Sequence, residues 1–328
     1  MTQFSPGQLS ILRSLVKDTA RAIDFTPYVN NQVLISGASG HFGIWLTLIF
    51  AHQSTIDKRI KLIIETSQYR YVTNLLNQID FGHIEHLDVS QPNKFDVIFD
   101  MSLPNSRNIE TVNNSQLQAF LQQFFKQKGR THEGSTLVIP SSGAVYGSRA
   151  NHDFPFAESE ADLAINRTNY GEAKFCVERL SAEFENCSLP IFRIFSVFGP
   201  LMRRDSPLIG NSFFTQCAES NEIKLIGIGK AQRNMTFVTD IMRQMISLSM
   251  VNRISNYPLN LGSENNLSVM TFADLVAQQM SAKVILGKNH EPPDYYTPNL
   301  NRLNEIYSGS NTGIQDAIEL TSYFHRSV

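Results

Sequence analysis

Short apolar runs and segments of helical spacing alternate along most of the chain. The apolar runs predict six strands, at residues 33–36, 61–65, 83–89, 96–102, 135–142 and 190–198. The segments between them carry apolar residues at three- and four-residue spacing and predict helices at 41–52, 69–79, 109–127 and 169–186. Near-continuous apolar strands separated by helices are typical of a parallel sheet covered on both faces. The pattern therefore predicts an α/β fold built on a doubly wound parallel sheet.

Residues 5–24 precede the first predicted strand and form an amphipathic pattern of their own. Ser5 is suited to cap the amino end of a helix, and apolar residues follow at helical spacing. We expect a helical extension that packs on the main domain. A mitochondrial transit peptide is the alternative, and Asp18 and Asp24 disfavour it because such peptides are poor in acidic residues.

The alternation changes after Phe198, where helices are predicted at 211–220 and 271–281 and short strands at 223–229, 256–263 and 283–286. We interpret these segments as a smaller C-terminal α/β lobe, except for the strand at 256–263, which could return to the main sheet. The predicted division is an N-terminal extension (1–30), a dinucleotide-binding domain (31–196 plus 236–264) and a substrate-binding lobe (197–235 plus 265–328). A cleft between lobes, at the carboxyl ends of parallel strands, is the expected ligand site.

The composition narrows the class of protein further. Of 328 residues, 42% are hydrophobic and 18% are charged, which is typical of a globular protein. The net charge of −2 gives no general basis for binding nucleic acid or an anionic membrane. Three cysteines are too few for a disulfide scaffold, no secretory signal is recognised, and no apolar stretch reaches the roughly 18 residues of a membrane span. A cytoplasmic location is therefore expected.

A glycine-rich segment, GASGHFG, directly follows the first strand and opens a helix. Glycine permits close backbone approach, and amides at a helix N-terminus suit a pyrophosphate. The spacing of Gly37, Gly40 and Gly43 differs from the common Gly-x-Gly-x-x-Gly fingerprint, so a tight turn without a ligand is the alternative. In this context the segment predicts a Rossmann-like cofactor loop. Its predicted cofactor-binding residues are Gly37, Ser39, Gly40, His41, Phe42 and Gly43.

Two carboxylates at the ends of the next strands complete the predicted cofactor site. Glu65 lies 22 residues beyond Gly43, close to the usual separation for a ribose-binding acid. A carboxylate there accepts from ribose hydroxyls and repels a 2′-phosphate, which favours NAD; Arg70 follows and makes NADP possible. Asp88 ends the third strand and is expected to accept from the adenine amino group. A solvated strand end and a loop-capping carboxylate are the respective alternatives.

Tyr170 and Lys174 lie four residues apart on a predicted helix and therefore share one face. An ammonium beside a phenol favours the phenolate, lowers its pKa and yields a general base. Ser142 ends the fifth strand, where its hydroxyl can position a substrate oxygen against that base. An exposed helix pair and a turn-forming serine are the alternatives. The three residues together predict a catalytic site.

These motifs and others, in order, resemble the extended short-chain dehydrogenase/reductase family, whose members are mostly nucleotide-sugar epimerases, dehydratases, reductases and decarboxylases. The matching pieces are GASGHFG, Asp88-Val89, SSGAVYG, Tyr170-x-x-x-Lys174, RIFSVFGP, IGNSFF, RNMTFVTD and NLGS. The resemblance implies that Tyr170 is the catalytic base, that Lys174 also holds the nicotinamide ribose, and that Ser142 lies beside the reacting sugar hydroxyl. It further implies that Asn211 and Arg233 bind the substrate diphosphate, and that Ser196, which replaces the usual Asn, belongs to the substrate site.

Departures from the family pattern decide the predicted reaction. Dehydratases of the family carry Asp-Glu after the Ser/Thr, and decarboxylases usually carry the Glu; here Gly143 and Ala144 stand there. Glu291 replaces an Arg that helps hold the nucleotide. We therefore expect an NAD-dependent nucleotide-sugar epimerase that acts through a keto-sugar. The alternatives are an NAD(P)H-dependent 4-ketoreductase and, ranked lower, a dehydratase or a non-catalytic cofactor-binding sensor.

The resemblance also predicts a homodimer that functions in nucleotide-sugar metabolism and polysaccharide biosynthesis, because family members commonly pair through the two helices at 109–127 and 169–186. A buried intramolecular face explains the apolar stripes of those helices equally well. No metal is expected: His83 and His86 point to opposite faces of a strand and cannot share an ion.

Overall fold

The computed structural model describes residues 4–81, 84–87, 93–102, 114–147, 155–164, 166–182, 184, 186–251, 254, 257–289 and 294–326, except the side chains of 114–117. The strands are β1 (Gln32–Ser36), β2 (Lys61–Glu65), β3 (Glu85–His86), β4 (Val97–Asp100), β5 (Thr136–Ser142), β6 (Ile191–Ile194), β7 (Ser196–Phe198), β8 (Glu222–Lys224), β9 (Gln232–Phe237), β10 (Leu259–Leu261), β11 (Asn266–Ser268), β12 (Lys283–Ile285) and β13 (Tyr295–Tyr296). The helices are α1 (Pro6–Arg21), α2 (His41–Ile56), α3 (Tyr69–Gln78), α4 (Asn114–Lys128), α5 (Asn169–Ser181), α6 (Ile209–Ser220), α7 (Val238–Leu248), α8 (Val269–Met280), α9 (Asn301–Ile306) and α10 (Ile314–His325).

A parallel sheet forms the centre of the fold. Within the described residues it has seven strands in the order β10-β6-β5-β4-β1-β2-β3, and each neighbouring pair is parallel. Val33 and Ile35 of β1 face a core shared with α1, α2, α3 and α7. Leu34 between them faces the opposite core, shared with α4 and α5. The predicted doubly wound sheet is confirmed, and its carboxyl edge lies where β1, β4 and β5 end side by side.

The N-terminal segment forms the predicted amphipathic helix. Ser5 caps α1 through a reciprocal capping box with Gln8. Leu12 and Val16 are fully buried in the core that α1 shares with α2 and α7. This extension is therefore packed on the sheet domain over its whole apolar stripe. None of the helices in the described ranges is long and apolar enough to cross a membrane.

A second, smaller sheet is formed by strands that follow β6 in the chain. It contains β11, β9 and β13, with β7 also paired to β9, and a separate parallel pair joins β8 to β12. The prediction of a single strand at 190–198 is wrong. The strand is interrupted at Phe195, so β6 stays in the main sheet while β7 joins the second one. β9, α7 and α10 were not predicted. The lobe boundaries given above remain a prediction.

A buried ion pair joins α5 to the main sheet. The side chains of Glu178 on α5 and Arg193 on β6 are 3% and 4% exposed, and their nearest charged atoms are 2.7 Å apart. Ser141 of β5 donates to the same carboxylate, and Arg193 also donates to the Tyr146 hydroxyl at 2.9 Å. Because both charges have several hydrogen-bond partners, the pair is satisfied within the interior.

Replacing Glu178 with Ala should lower the free energy of unfolding by about 3–5 kcal/mol, because the Arg193 guanidinium would stay buried without its counter-charge. The matched control is Asp205→Ala, which breaks the exposed pair that Asp205 forms with Arg203. That control should cost less than about 1 kcal/mol. Urea unfolding of the three proteins measures both values, and equal losses would contradict a special role for the buried pair.

Candidate active site

The glycine-rich loop forms a tight turn between β1 and α2. Gly37 has a φ of +74°, a conformation that favours glycine, and its amide donates to the Glu65 carbonyl at 2.9 Å. A Cβ atom on Gly43 would lie 2.1 Å from the Gly37 carbonyl oxygen, so only glycine fits there. Gly40 caps α2 without any side-chain hydrogen bond. The helix amides are thus left for an anionic group, and the loop fits the pyrophosphate of a dinucleotide.

Three other loop residues have structural partners. Ser39 accepts from the Thr66 hydroxyl at 2.9 Å, and Phe42 packs against the main core. The rings of His41 and Trp45 both contact the Pro200 carbonyl oxygen at 3.1 Å. Burial lowers the pKa of His41 to about 4, although the bond to Pro200 opposes the shift. A neutral His41 thus helps fasten the loop after β7 to the start of α2.

Glu65 has more partners than a free ribose-binding acid would have. Its carboxylate accepts from the Arg130 guanidinium at 2.9 Å, the Lys126 ammonium at 2.8 Å, the Gln127 amide at 3.2 Å and the Ser36 hydroxyl at 2.7 Å. Burial alone would raise its pKa, but the bonds from Arg130, Lys126 and Ser36 outweigh burial and lower the pKa to about 2. The ribose role of Glu65 remains a prediction, and it would have to compete with this network.

The remaining residues singled out in the sequence are either exposed or outside the described residues. Arg70 lies exposed near the start of α3. Asp88, the predicted adenine contact, lies outside the described residues, as do His83 and Glu291.

Ser142, Tyr170 and Lys174 come together at the carboxyl edge of the main sheet. Ser142 ends β5, and its hydroxyl caps the short 3₁₀ helix that follows by accepting from the Ala144 amide at 3.2 Å. Tyr170 lies in the first turn of α5, close enough to Ser142 for the serine hydroxyl to lower the tyrosine pKa in part. Lys174 is one turn further along α5, with its ammonium 5.7 Å from the Tyr170 ring centre. The three side chains predicted from separate motifs therefore form one site.

The side chain of Lys174 is held in place by a hydrogen bond to the backbone of β5. It is 4% exposed, and its ammonium donates to the Pro140 carbonyl at 2.7 Å. Burial lowers its pKa to about 8, against the opposing effect of the carboxylates of Asp100 and Glu178. Asp100 ends β4 and is itself buried, which raises its pKa. The ammonium is therefore fixed in the protein interior near the Tyr170 ring rather than exposed to solvent.

The predicted lowering of the Tyr170 pKa is wrong. Burial raises the pKa of Tyr170 above its ordinary value, and the neighbouring Tyr296 raises it further, while the Ser142 hydrogen bond lowers it only in part. The physical reason is that the Lys174 ammonium is directed to Pro140 and does not compensate for the lost hydration of a phenolate.

Tyr296 is a residue of this site that the sequence analysis did not identify. It belongs to β13, and its hydroxyl oxygen lies 3.3 Å from that of Ser142. Its ring packs against Phe195 with the ring centres 4.9 Å apart. No motif marks this position, since it follows the segment EPPD without a chemical signature of its own. The pairing of β13 with β9 and the backbone bonds of residues 297 and 299 to Phe156 bring it to the end of β5.

The predicted diphosphate-binding residues lie in or near the second sheet. Arg233 of β9 lines a cavity of about 540 Å³ between the start of α6 and residues 225–231. Its guanidinium is paired with Asp294 at 2.8 Å. Asn211 of α6 is fully buried; its amide donates to the Arg204 and Ser206 carbonyls, and its Oδ1 atom has no hydrogen-bond partner in the described structure.

Ser196, the remaining predicted substrate residue, begins β7 and is half-buried. The structure therefore brings Ser142, Tyr170 and Lys174 together. It leaves Arg233 on the wall of the neighbouring cavity and Asn211 beneath the loop that precedes α6.

A doubly wound parallel sheet, a glycine-rich turn into α2 and a Ser-Tyr-Lys site at the same sheet edge define a protein of the short-chain dehydrogenase/reductase class. Residues 33–262 match the NAD dependent epimerase/dehydratase family. The chain belongs to this family, and the family's dependence on NAD confirms the predicted class of cofactor.

Similar proteins in this family have different activities. UDP-glucuronic acid decarboxylase 1 of Xenopus tropicalis is 25% identical over 264 residues, which are 75% of this chain and 60% of that protein. The chain thus spans about 60% of the length of this relative. The Bacillus cereus UDP-glucuronic acid 4-epimerase, solved with UDP-glucuronic acid and NAD, has a TM-score of 0.69 at 16% identity, over 90% of this chain and 98% of that one. The NDP-hexosamine 5,6-dehydratase TunA gives 0.67 at 18%, over 90% and 97%. At such identities the solved structures show a shared fold.

The Glu65 network predicts a pH-dependent loss of stability. Because its folded-state pKa of about 2 lies below the ordinary glutamate value, Glu65 stabilises the fold above about pH 4.5, and this contribution is lost as the pH falls toward 2. Glu65→Gln should lower the free energy of unfolding by about 2 kcal/mol at neutral pH and by roughly half that or less near pH 3. Urea unfolding at both pH values measures the difference. Glu305→Gln, at an exposed position in α9, is the control; a difference that does not shrink in acid would contradict the ion-pair network.

Proposed function

We propose that the protein is an NAD-dependent epimerase that inverts one carbon of a nucleotide sugar through a transient keto-sugar. The observation that carries this proposal is the meeting of Ser142, Tyr170 and Lys174 at the sheet edge. The glycine-rich loop directly follows β1, and β1 lies two strands from β5 in the main sheet. The loop is therefore about 10 Å from the end of β5. A cofactor held by that loop can therefore reach a sugar held by these side chains.

Each of the three side chains has a role that follows from its position. Ser142 hydrogen-bonds the reacting sugar hydroxyl and directs it toward Tyr170. Tyr170 accepts the hydroxyl proton as the carbon is oxidised and returns it when the ketone is reduced. Lys174, fixed by Pro140, lies where it can hold the nicotinamide ribose and supply positive charge beneath the phenol. When bound by the glycine-rich loop and Lys174, NAD would supply the reversible hydride exchange that oxidation and reduction of the sugar carbon require.

The chain is poorly suited to dehydration or decarboxylation. A Cβ atom on Gly143 would lie 2.6 Å from the Phe195 ring, so a side chain at this position would clash. Ala144 provides no acid either. Without the two carboxyl groups that the resemblance assigns to these reactions, oxidation and reduction at one carbon remain the chemistry that the side chains support.

One observation favours a second candidate, an NAD(P)H-dependent 4-ketoreductase. Glu65 shares its charge with Arg130 and Lys126, so the end of β2 is not simply negative and would repel a 2′-phosphate weakly. The two candidates differ in how they use the cofactor. An epimerase regenerates NAD in each cycle, whereas a reductase consumes a reduced cofactor.

The substrate side fits a nucleoside diphosphate. The cavity beside Arg233 is also lined by Lys224 and Lys230, and it lies next to the amino end of α6. These groups favour an anion. The apolar side chains of Leu225 and Val269 on the same cavity suit a flat base.

We further propose a cytoplasmic homodimer. Phe125 on the outer face of α4 is 49% exposed, beside Phe184, and offers apolar surface to a second copy. The location is a prediction from the low cysteine content, and the assembly is a prediction that follows from the resemblance.

The direct test is to purify the protein, extract its cofactor, and follow UDP-, dTDP-, GDP- and CDP-sugars by chromatography and NMR. Interconversion of two epimers without added reductant supports the proposal. Stoichiometric consumption of NADPH with a 4-keto sugar would instead assign the reductase. A product that has lost water or carbon dioxide would contradict both.

Tyr170→Phe should leave NAD affinity nearly unchanged and lower turnover by about 10²-fold or more, because the proton acceptor is lost. The matched control is Tyr257→Phe, at a residue 66% exposed and remote from the site, which should keep full activity. Steady-state rates and calorimetry with NAD measure both properties. Wild-type turnover by the Tyr170 variant would contradict the assignment of the base.

Arg233→Ala should weaken binding of a nucleoside diphosphate by about 10- to 100-fold, since a guanidinium–phosphate contact is charge-assisted. Arg233→Lys should recover only part of this loss because an ammonium lacks the planar fork. Arg59→Ala, at an exposed pair with Asp57, is the control. Calorimetry with UDP and, separately, with NAD tests the prediction. A variant that loses NAD and keeps UDP would show that Arg233 serves the cofactor.

A further inference from the structure

Asp100 places a buried carboxylate at the carboxyl edge of the main sheet. It ends β4, which lies between β1 and β5, and it is 2% exposed. The Ser102 hydroxyl and amide both donate to its Oδ1 atom, the amide at 3.3 Å, and Gln123 of α4 donates to the Ser102 hydroxyl. A carboxylate that is buried in this way also needs a counter-charge.

The register of the sheet places Asp100 beside the hydrogen bond that holds Lys174. β4 pairs with β5 so that Asp100 is level with Ile139, and the next residue, Pro140, accepts from the Lys174 ammonium. Neighbouring strands lie about 4.8 Å apart. Ile98, two residues before Asp100, faces the core shared with α4 and α5, so Asp100 faces the same helices. The carboxylate and the ammonium therefore lie on the same face of the sheet, on adjacent strands.

The other groups around Lys174 provide little free negative charge. Within the described residues, the carboxylates that favour its ammonium form are those of Asp100 on β4 and Glu178 on α5. Glu178 is already paired with Arg193 of β6, which offsets its charge. α4 presents the Phe120 ring, 5.7 Å from the ammonium, and β5 presents a backbone carbonyl. Asp100 is therefore the carboxylate best placed to balance the charge of Lys174.

We propose that Asp100 is a positioning residue that keeps Lys174 in its charged form, so that positive charge stays beside the Tyr170 ring. The effect is mutual: burial raises the pKa of Asp100, whereas the Ser102 and Gln123 hydrogen bonds and the Lys174 charge lower it. Tyr170 is the remaining titratable neighbour on α5, and burial raises its pKa, so it is uncharged near neutral pH. The inference rests on the proposed function only for the use that Tyr170 makes of this charge.

Titration of Lys174 in the protein without NAD or sugar tests the inference. Lysine labelled with carbon-13 at Cε reports the protonation of each ammonium by NMR, and the Lys174 signal is the one missing from Lys174→Met. Asp100→Asn keeps the shape of the side chain and removes its charge. The pKa of Lys174 should therefore fall from about 8 to about 7 or lower, since a nearby opposite charge favours the charged form by about one pKa unit or more.

A control and a second variant accompany this measurement. Asp80→Asn removes the same charge from an exposed pair with Arg13 and should leave the Lys174 pKa unchanged. Ser102→Ala keeps the Asp100 carboxylate but removes the hydroxyl that donates to it, so it should lower the Lys174 pKa by a smaller amount. If circular dichroism shows that Asp100→Asn does not fold, Ser102→Ala decides, and an unchanged Lys174 pKa in that variant overturns the inference.

Two results for the folded Asp100→Asn protein would overturn the inference. The first is a Lys174 pKa that is equal to the wild-type value or higher, which would mean that Asp100 carries no charge that Lys174 senses. The second is an equal fall in Asp80→Asn, which would mean that the change in total charge alone causes the effect.

The proposed function fails by a different measurement. A Lys174 pKa that depends on Asp100, together with no interconversion of epimers by the wild-type protein, contradicts the epimerase and leaves this inference standing. Epimerase activity of the wild-type protein, together with a Lys174 pKa that is the same in Asp100→Asn, does the reverse.

Discussion

The buried pair between Glu178 and Arg193 sets the geometry of the whole catalytic edge. Glu178 lies one turn beyond Lys174 on α5, and its carboxylate also receives the hydroxyl of Ser141, the neighbour of Ser142. One pair of charges thus fixes the rotation of α5 and its height against β5 at the same time. Because a satisfied buried pair tolerates little change in geometry, Tyr170 and Ser142 are held in register before any ligand binds.

That rigidity has an electrostatic cost that falls on the same few residues. The pKa of Lys174 is lowered by burial, and the pKa values of Tyr170 and Asp100 are raised by it, so each group is shifted toward its neutral form. The Tyr170 phenol therefore stays protonated near neutral pH. For Tyr170 to act as a general base, positive charge near its hydroxyl has to stabilise the phenolate.

The sequence predicts the features of this structure that depend on residues close together along the chain better than those that depend on residues far apart. The glycine-rich turn, the Tyr170–Lys174 spacing and the capped α1 are local patterns, and the structure has them where they were predicted. β9 was missed because QRNMTF begins with polar residues, and α10 because nothing in the C-terminal tail marked a helix. The strand expected at 190–198 is split by a change of sheet at Phe195, which no local pattern reveals.

The features that alter the chemical interpretation are all non-local. Glu65 meets Arg130 across 65 positions of sequence, and Ser142 meets Tyr296 across 154. Each contact depends on which strands become neighbours, so residue type and spacing could not have predicted it. For the same reason the sequence predicted that Ser142, Tyr170 and Lys174 lie together but did not predict the aromatic side chains beside them.

Two charged side chains that are predicted to bind ligands already form ion pairs within the protein, and this limits how much their charge contributes to ligand specificity. Arg233 is paired with Asp294, and Glu65 with Arg130 and Lys126. An incoming diphosphate or ribose must replace an existing partner, so the net gain is the difference between two similar interactions rather than the full strength of either. Simple attraction between opposite charges then discriminates poorly among anions. Groups held in a fixed geometry, which the right ligand alone would match, discriminate better than paired charges do.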